Sequence, residues 1–143
     1  MIVYGMSLKN RSHCPITFGL DLFGDKWSLL ILRDMMLMKK CYYDDFLKSG
    51  EGISTNILAN RLQMLEKNGL INKVRDPENK KRFLYNPTEK GLDLLPIMLA
   101  MVQWSAKYDP ETDAPENIVK EMADNPSLFI KHIRASLTSI FNE

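Results

Sequence analysis

Gly52-Ile53-Ser54-Thr55-Asn56-Ile57-Leu58-Ala59-Asn60-Arg61-Leu62-Gln63-Met64-Leu65-Glu66-Lys67-Asn68-Gly69-Leu70 is the stretch whose reading decides the fold. Ser54 suits the N-cap of a helix, because its hydroxyl can accept from an amide that has no partner in the first turn. Leu58, Leu62 and Leu65 recur at i, i+4 and i+7, so one stripe of that helix is buried. Lys67 falls in the last turn, and Asn68-Gly69 is a left-handed stop. The free face carries Thr55, Asn56, Ala59, Asn60 and Gln63. A solvated surface helix usually shows Lys and Glu there. Uncharged amides instead suit base edges in a DNA major groove, where Asn and Gln can pair with adenine. The competing expectation is a polar helix whose outer face has no partner.

The flanks favour the first reading. Upstream, Tyr43 to Lys48 predicts a short helix burying Tyr43, Phe46 and Leu47, and the turn Ser49-Gly50-Glu51-Gly52 leads into the capped helix. Helix, short glycine-containing turn and helix form a helix-turn-helix with the second helix as reader. Downstream the period shifts from helix toward strand. Leu70-Ile71-Asn72-Lys73-Val74-Arg75 and Lys80-Lys81-Arg82-Phe83-Leu84-Tyr85-Asn86 predict two strands joined by the turn cluster Asp76-Pro77-Glu78-Asn79. Lys73, Arg75, Lys80, Lys81 and Arg82 flank the hairpin tip, which makes it a cationic wing.

Further out, residues 1–13 read as an N-terminal arm. Pro15 to Phe23 predicts a first helix, opened by a proline at its first position and ended by Gly24. Asp25 caps a second helix through Met36, apolar over so much of its circumference that it lies inside the domain. A long helix runs from Pro87-Thr88 to about Tyr108. It carries Leu92, Leu95, Leu99, Val102 and Ala106 on one side and Met98, Met101 and Trp104 on another, and Pro96 predicts a bend or a missing backbone bond. Two apolar sides imply a second surface to cover, most simply a second subunit. Leu95, Leu99, Val102 and Trp104, with Phe129, Ile133 and Leu137 of an amphipathic last helix, are the expected dimer contacts, although the last helix could equally pack on its own domain. Residues 14–108 are thus expected to form the DNA-binding domain. Residues 109–143 follow as an acidic, proline-marked linker and a helical extension.

The totals limit the alternatives. The 143 residues, with 45% hydrophobic and 26% charged, fit one globular domain with an appended segment. Residues 1–108 hold 16 Lys/Arg and 11 Asp/Glu, a net of +5, whereas 109–143 hold 3 and 7, a net of −4. The cationic body implies a polyanion partner, which the overall charge of +1 conceals. No apolar run reaches the roughly 18 residues of a membrane helix and no signal-peptide pattern opens the chain, so a cytoplasmic protein is expected. Cys14 and Cys41 are too few for a disulfide scaffold or a zinc cluster. His13 and His132 are the only histidines, and no phosphate-cradling glycine loop or metal-ligand spacing occurs. Neither an enzyme nor a metal or cofactor is expected.

Three blocks are more specific than the architecture. Cys14-Pro15 with Leu22-Phe23-Gly24-Asp25-Lys26-Trp27-Ser28-Leu29-Leu30-Ile31-Leu32-Arg33-Asp34 resembles the opening of the HxlR-type regulators. Gly52-Ile53-Ser54, Leu58, Arg61-Leu62, Leu65-Glu66 and Gly69-Leu70 resemble that family's reader-helix block. Tyr85, Thr88-Glu89-Lys90-Gly91, Leu95-Pro96 and Trp104 resemble its strand-to-last-helix block. The resemblance implies a mainly α fold with a small β-hairpin: a winged helix-turn-helix, similar to the MarR group, with a long C-terminal dimerisation helix and here extra C-terminal helices. It also implies a homodimeric transcriptional regulator that binds double-stranded DNA. This chain departs from the family's Arg-Phe and Glu-Leu on the third helix, having Tyr42-Tyr43 and Asp45-Phe46. Its segment after residue 108 exceeds the minimal family domain.

Candidate site residues follow. Ser54, Thr55, Asn56, Asn60, Arg61 and Gln63 belong to the reader. Arg61 could reach a phosphate or pair with an acid of the third helix. Lys73, Arg75, Lys80, Lys81 and Arg82 of the wing would hold the backbone or an adjacent minor groove. Cys14 stands where the resemblance places a cysteine that some members use to sense oxidants or electrophiles. A thiol before a helix start gains from the helix dipole, with His13 and Arg11 adding to it. The alternative is a small residue packed beneath the last helix. Cys41 reads as an ordinary, partly buried thiol. The nine methionines, several of them between the second and long helices, could line an adaptable ligand pocket or simply fill the core. An oxidant or a small ligand is therefore the candidate effector. The second class of reading is a protein-interaction module that keeps the fold without binding DNA.

Overall fold

A computed structural model describes residues 12–141, with side chains through residue 137. Of the expected arm 1–13, only Ser12 and His13 are among them, and the side chains of Ile140 and Phe141 lie outside the described set. The elements are α1 (Pro15–Phe23), α2 (Ser28–Met36), α3 (Tyr43–Leu47), α4 (Thr55–Lys67), β1 (Ile71–Arg75), β2 (Phe83–Pro87), α5 (Glu89–Leu92), α6 (Leu95–Tyr108), α7 (Glu116–Asp124) and α8 (Pro126–Phe141). The expected winged helix-turn-helix is present, mostly helical with one antiparallel hairpin.

Its core forms where the apolar stripes of these helices meet. Ile31, Leu32, Met35 and Met36 of α2, Phe46 of α3, and Leu58, Leu62 and Leu65 of α4 are all buried together with Ile71, Tyr85 and Leu95. Phe46 meets Tyr85 edge to face at 6.1 Å between ring centroids, which ties α3 to the hairpin. The Tyr85 amide donates to the Cys41 carbonyl at 2.8 Å, holding the chain before α3 against β2.

Three boundaries differ from expectation. The second helix starts at Ser28 instead of directly after Asp25, and Asp25 still serves its start: Oδ2 accepts from the Trp27 and Ser28 amides at 2.9 and 3.0 Å. The second strand starts at Phe83, because Lys80 to Arg82 are drawn into the tip: the Lys81 amide donates to Asn79 Oδ1 and the Arg82 amide to the Asn79 carbonyl. The long helix is divided at Asp93 and Leu94. Pro96 consequently occupies the first turn of α6, where a missing amide costs nothing, and bends no helix.

The junction between α4 and α5 is the most closely built part. Gly69 takes φ +76°, the conformation that ends α4 without a side-chain penalty. The Thr88 hydroxyl donates to the Gly69 carbonyl at 2.6 Å and accepts the Gly91 amide, and Lys90 Nζ donates to the Asn68 carbonyl at 2.8 Å. Gly91 lies so close to the Leu70 carbonyl that a Cβ there would collide with backbone.

The segment after residue 108 folds back. Leu137 of α8 is buried in the same core, and Arg134 pairs with Glu89 and Asp93 at 2.8 and 2.7 Å. Leu95, Leu99 and Leu137 are enclosed by their own protomer, so their assignment as dimer contacts is corrected to core packing. Met98, grouped with Met101 and Trp104 on the second side of the long helix, is buried, whereas Met101 and Trp104 are exposed.

Candidate nucleic-acid interface

Helix α4 presents the predicted face. The Ile57 amide donates to Ser54 Oγ at 3.3 Å, so the cap is formed. Thr55, Asn56, Ala59, Asn60 and Gln63 are all exposed, while Leu58, Leu62 and Leu65 on the opposite side are buried. Two contacts aim the helix. Tyr43 Oη donates to the Thr55 carbonyl at 3.0 Å, joining α3 to the first turn of α4. Arg33 of α2 reaches Glu51, in the turn before the cap, at 3.0 Å, and holds the buried Asp34 at 2.8 Å. Neither contact was apparent from sequence. The Arg33–Glu51 pair spans 18 residues, and nothing in the local pattern joins them.

Arg61 is not free. Its Nε lies 3.4 Å from Asp25 Oδ2, a carboxylate held by the start of α2, so the acid it meets is not on the third helix. The approach is an ion pair without hydrogen-bond alignment.

The wing divides its cations. Arg82 pairs with Asp76 at 2.9 Å and stacks on Tyr42 with its guanidinium 3.8 Å from the ring centre. Asp76 also accepts from Tyr42 Oη at 3.1 Å and from the Glu78 amide at 2.9 Å. The Glu78 amide and the Arg82 guanidinium hold this carboxyl below its ordinary pKa. Arg75 donates to the Lys80 carbonyl and lies over Phe83, and Lys73 Nζ sits 4.3 Å from the same ring. Lys80 and Lys81 are exposed at the tip. Arg82 is thus part of the frame of the wing, and among the described residues the tip lysines have no ion pair or side-chain hydrogen bond.

Cys14 is exposed at the N-cap of α1, so packing beneath the last helix is ruled out for it. The amides of Thr17 and Ile16, with the Thr17 hydroxyl, lower its pKa, an effect of the helix start. Burial, with Asp45 beside it, raises that of Cys41.

An apolar face remains uncovered. Trp104 is 67% exposed and meets the Tyr108 ring in a tilted contact at 5.3 Å, with Met101 and Ile97 also exposed on α6. Ile16, Phe18 and Leu20 of α1 are exposed as well, Ile16 at 70%. Val102, Phe129 and Ile133 are half-buried. Ile16, Phe18, Leu20, Leu22 and Phe23 are the apolar set of this helix in the sequence, but their spacing does not tell which of them stay exposed.

These features define a transcriptional regulator of the winged helix-turn-helix class. Residues 22–113 match the family described as HxlR-like helix-turn-helix, and the chain belongs to it. A helix-turn-helix transcriptional regulator of uncharacterized role from Synechocystis is 36% identical over 88 residues, 62% of this chain; the match spans 64% of that relative, just under two thirds. The crystal structure of PA1607, described as a candidate transcription factor, superposes with a TM-score of 0.66 at 34% identity, covering 75% of this chain and 73% of its own. The redox regulator HypR in its oxidized form superposes at 0.59 with 26% identity, covering 71% of this chain and all of that one. These relatives are described as transcriptional or redox regulators or as a candidate transcription factor. Among the described residues no helix is long and apolar enough to cross a membrane.

Proposed function

We propose that this chain is a homodimeric, sequence-specific regulator that reads operator DNA through Thr55, Asn56, Asn60 and Gln63 in the major groove. The observation that carries the proposal is an uncharged amide face, exposed on a capped helix that is aimed by Tyr43 and by the Arg33–Glu51 pair. Lys80 and Lys81 at the wing tip supply phosphate contacts that position the protein without choosing sequence. The exposed strip of α1 and α6, centred on Trp104, is the dimer face, because apolar area of that extent is normally covered. Residues 109–143 belong to the protomer's own fold and support α5 and α6, as the burial of Leu137 suggests.

The switch of this regulator involves Cys14. Its exposure and lowered pKa suit attack on oxidants or electrophiles, and the likeness to a redox regulator supports the reading. The test is a mobility shift with DNA from upstream of the chain's own gene, before and after diamide treatment. A complex at low salt whose affinity changes with diamide in the wild type but not in Cys14→Ser is expected. No complex at low salt overturns DNA reading and favours a protein-interaction module on this fold. A complex indifferent to diamide removes the cysteine switch.

A further inference from the structure

The four bases ask different things of a side chain. In the major groove guanine offers two acceptors that suit Arg or Lys, and cytosine offers a donor that suits Asp or Glu. Adenine pairs a donor with an acceptor and so suits the carboxamides of Asn and Gln, while thymine adds a C5-methyl that an apolar group can cover. The exposed surface of α4 is equipped for only two of the four.

From Thr55 to Met64 the helix carries no acid, and Arg61 is its one cation. The Arg61 guanidinium is drawn back to Asp25, with Nε 3.4 Å from Oδ2 and the side chain 28% exposed. Glu66 and Lys67 are exposed, but they stand in the last turn, and a reader helix meets base edges with its N-terminal residues. Guanine and cytosine therefore have no free charged partner on the first turns.

Apolar groups stand among the amides instead. Ile57 and Ala59 are both exposed. Helical spacing puts Ile57 beside Asn60, three residues on, and Ala59 beside Asn56 and Gln63, three residues back and four on. Ile57 is 36% exposed and lies outside the buried core. A β-branched residue on the surface of a helix costs side-chain freedom that Ala would not, so folding alone does not call for isoleucine there.

We infer that the base pairs beneath the reader are A·T: Asn56, Asn60 and Gln63 take adenine N6 and N7, and Ile57 and Ala59 cover thymine methyls. Ile57 is then a specificity-determining residue that supplies neither charge nor hydrogen bond. This assignment, which rests on the DNA-binding reading, adds to it the composition of the half-site.

The test is selection of duplexes from a random library by the full chain at low salt, followed by affinity measurements on the selected duplex. A·T pairs are expected at the half-site positions where base replacement weakens binding most. Replacing one adenine there by 7-deazaadenine removes N7 and leaves the minor groove as it was; binding should fall about tenfold, the loss of one bidentate contact. Replacing one thymine by deoxyuridine removes only the methyl and should weaken binding about fourfold where Ile57 covers it. Ile57→Ala, at an exposed position, should keep the fold and bind the thymine and uracil duplexes alike there. G·C pairs at the most sensitive positions overturn the A·T assignment while DNA binding stands. So does an A·T preference indifferent to both analogues, which would reflect duplex shape. Undiminished discrimination against uracil in Ile57→Ala overturns the role of Ile57. Failure to bind any duplex overturns the DNA-binding reading itself, and the half-site with it.

Discussion

The reader helix and the wing carry DNA-contact candidates of opposite character, and the fold treats them differently. On α4 the candidates other than the paired Arg61 are uncharged, and Thr55, Asn56, Asn60 and Gln63 stand exposed while three leucines behind them fix the helix. On the wing the candidates are charged, yet Arg82 is bound to Asp76 and Tyr42, and Arg75 to the Lys80 carbonyl and the Phe83 ring. A cation in the sequence is therefore not yet a cation available to a phosphate. An acid nearby in space, here the buried Asp76, can claim it first.

The sharpest separation is between the two faces of α4. Leu65→Ala removes a fully buried side chain and should cost about 2–5 kcal/mol in urea denaturation. Gln63→Ala, exposed on the same helix, should stay within about 0.5 kcal/mol. A comparable loss in both would mean that the amide face is packed after all. Next in size is the junction between α4 and α5: Gly91→Ala forces a Cβ onto the Leu70 carbonyl and should destabilise by about 1–3 kcal/mol, read as a lower midpoint in the same assay.

The wing comparison can be broken by pH. The folded-state pKa of Asp76 is depressed below its ordinary value of 3.8, so its carboxylate contributes stability that is present above that value and lost as pH falls through the lower, folded value. In Asp76→Asn this portion of the acid dependence below about pH 4 should vanish, with stability at neutral pH already reduced. An unchanged acid limb would show that Asp76 does not anchor the tip. The two cysteines offer a smaller contrast. Mass spectrometry of iodoacetamide-treated protein at neutral pH should show Cys14, exposed with a lowered pKa, modified several-fold faster than Cys41, whose pKa burial raises. Equal rates would remove the electrostatic argument for Cys14.

What the sequence made legible was local. The Ser54 cap, the Leu58-Leu62-Leu65 stripe and the Gly69 stop all follow from periodicities within a few residues, and the reader helix came out as expected. The pairs that join distant segments were illegible: Tyr42 with Asp76 is separated by 34 residues, and Arg33 with Glu51 by 18. Apolar spacing on α6 and α8 identified buried stripes but could not say which body buries them. That is why Leu95, Leu99 and Leu137 were given to a partner when their own protomer covers them. The exposed residues of α1, by contrast, needed the third dimension to be placed beside Ile97 of α6.

Operator affinity measured against salt tests the division of labour most directly, with wild type, Asn56→Ala/Asn60→Ala and Lys80→Ala/Lys81→Ala compared on one DNA. The amide variant should lose about 1–3 kcal/mol per lost base contact with its salt slope unchanged. The lysine variant should lose affinity for all sequences alike, with a slope shallower by about one per phosphate contact removed. An amide variant that binds like wild type, or one whose loss appears only as a changed salt slope, would contradict the assignment of sequence reading to α4.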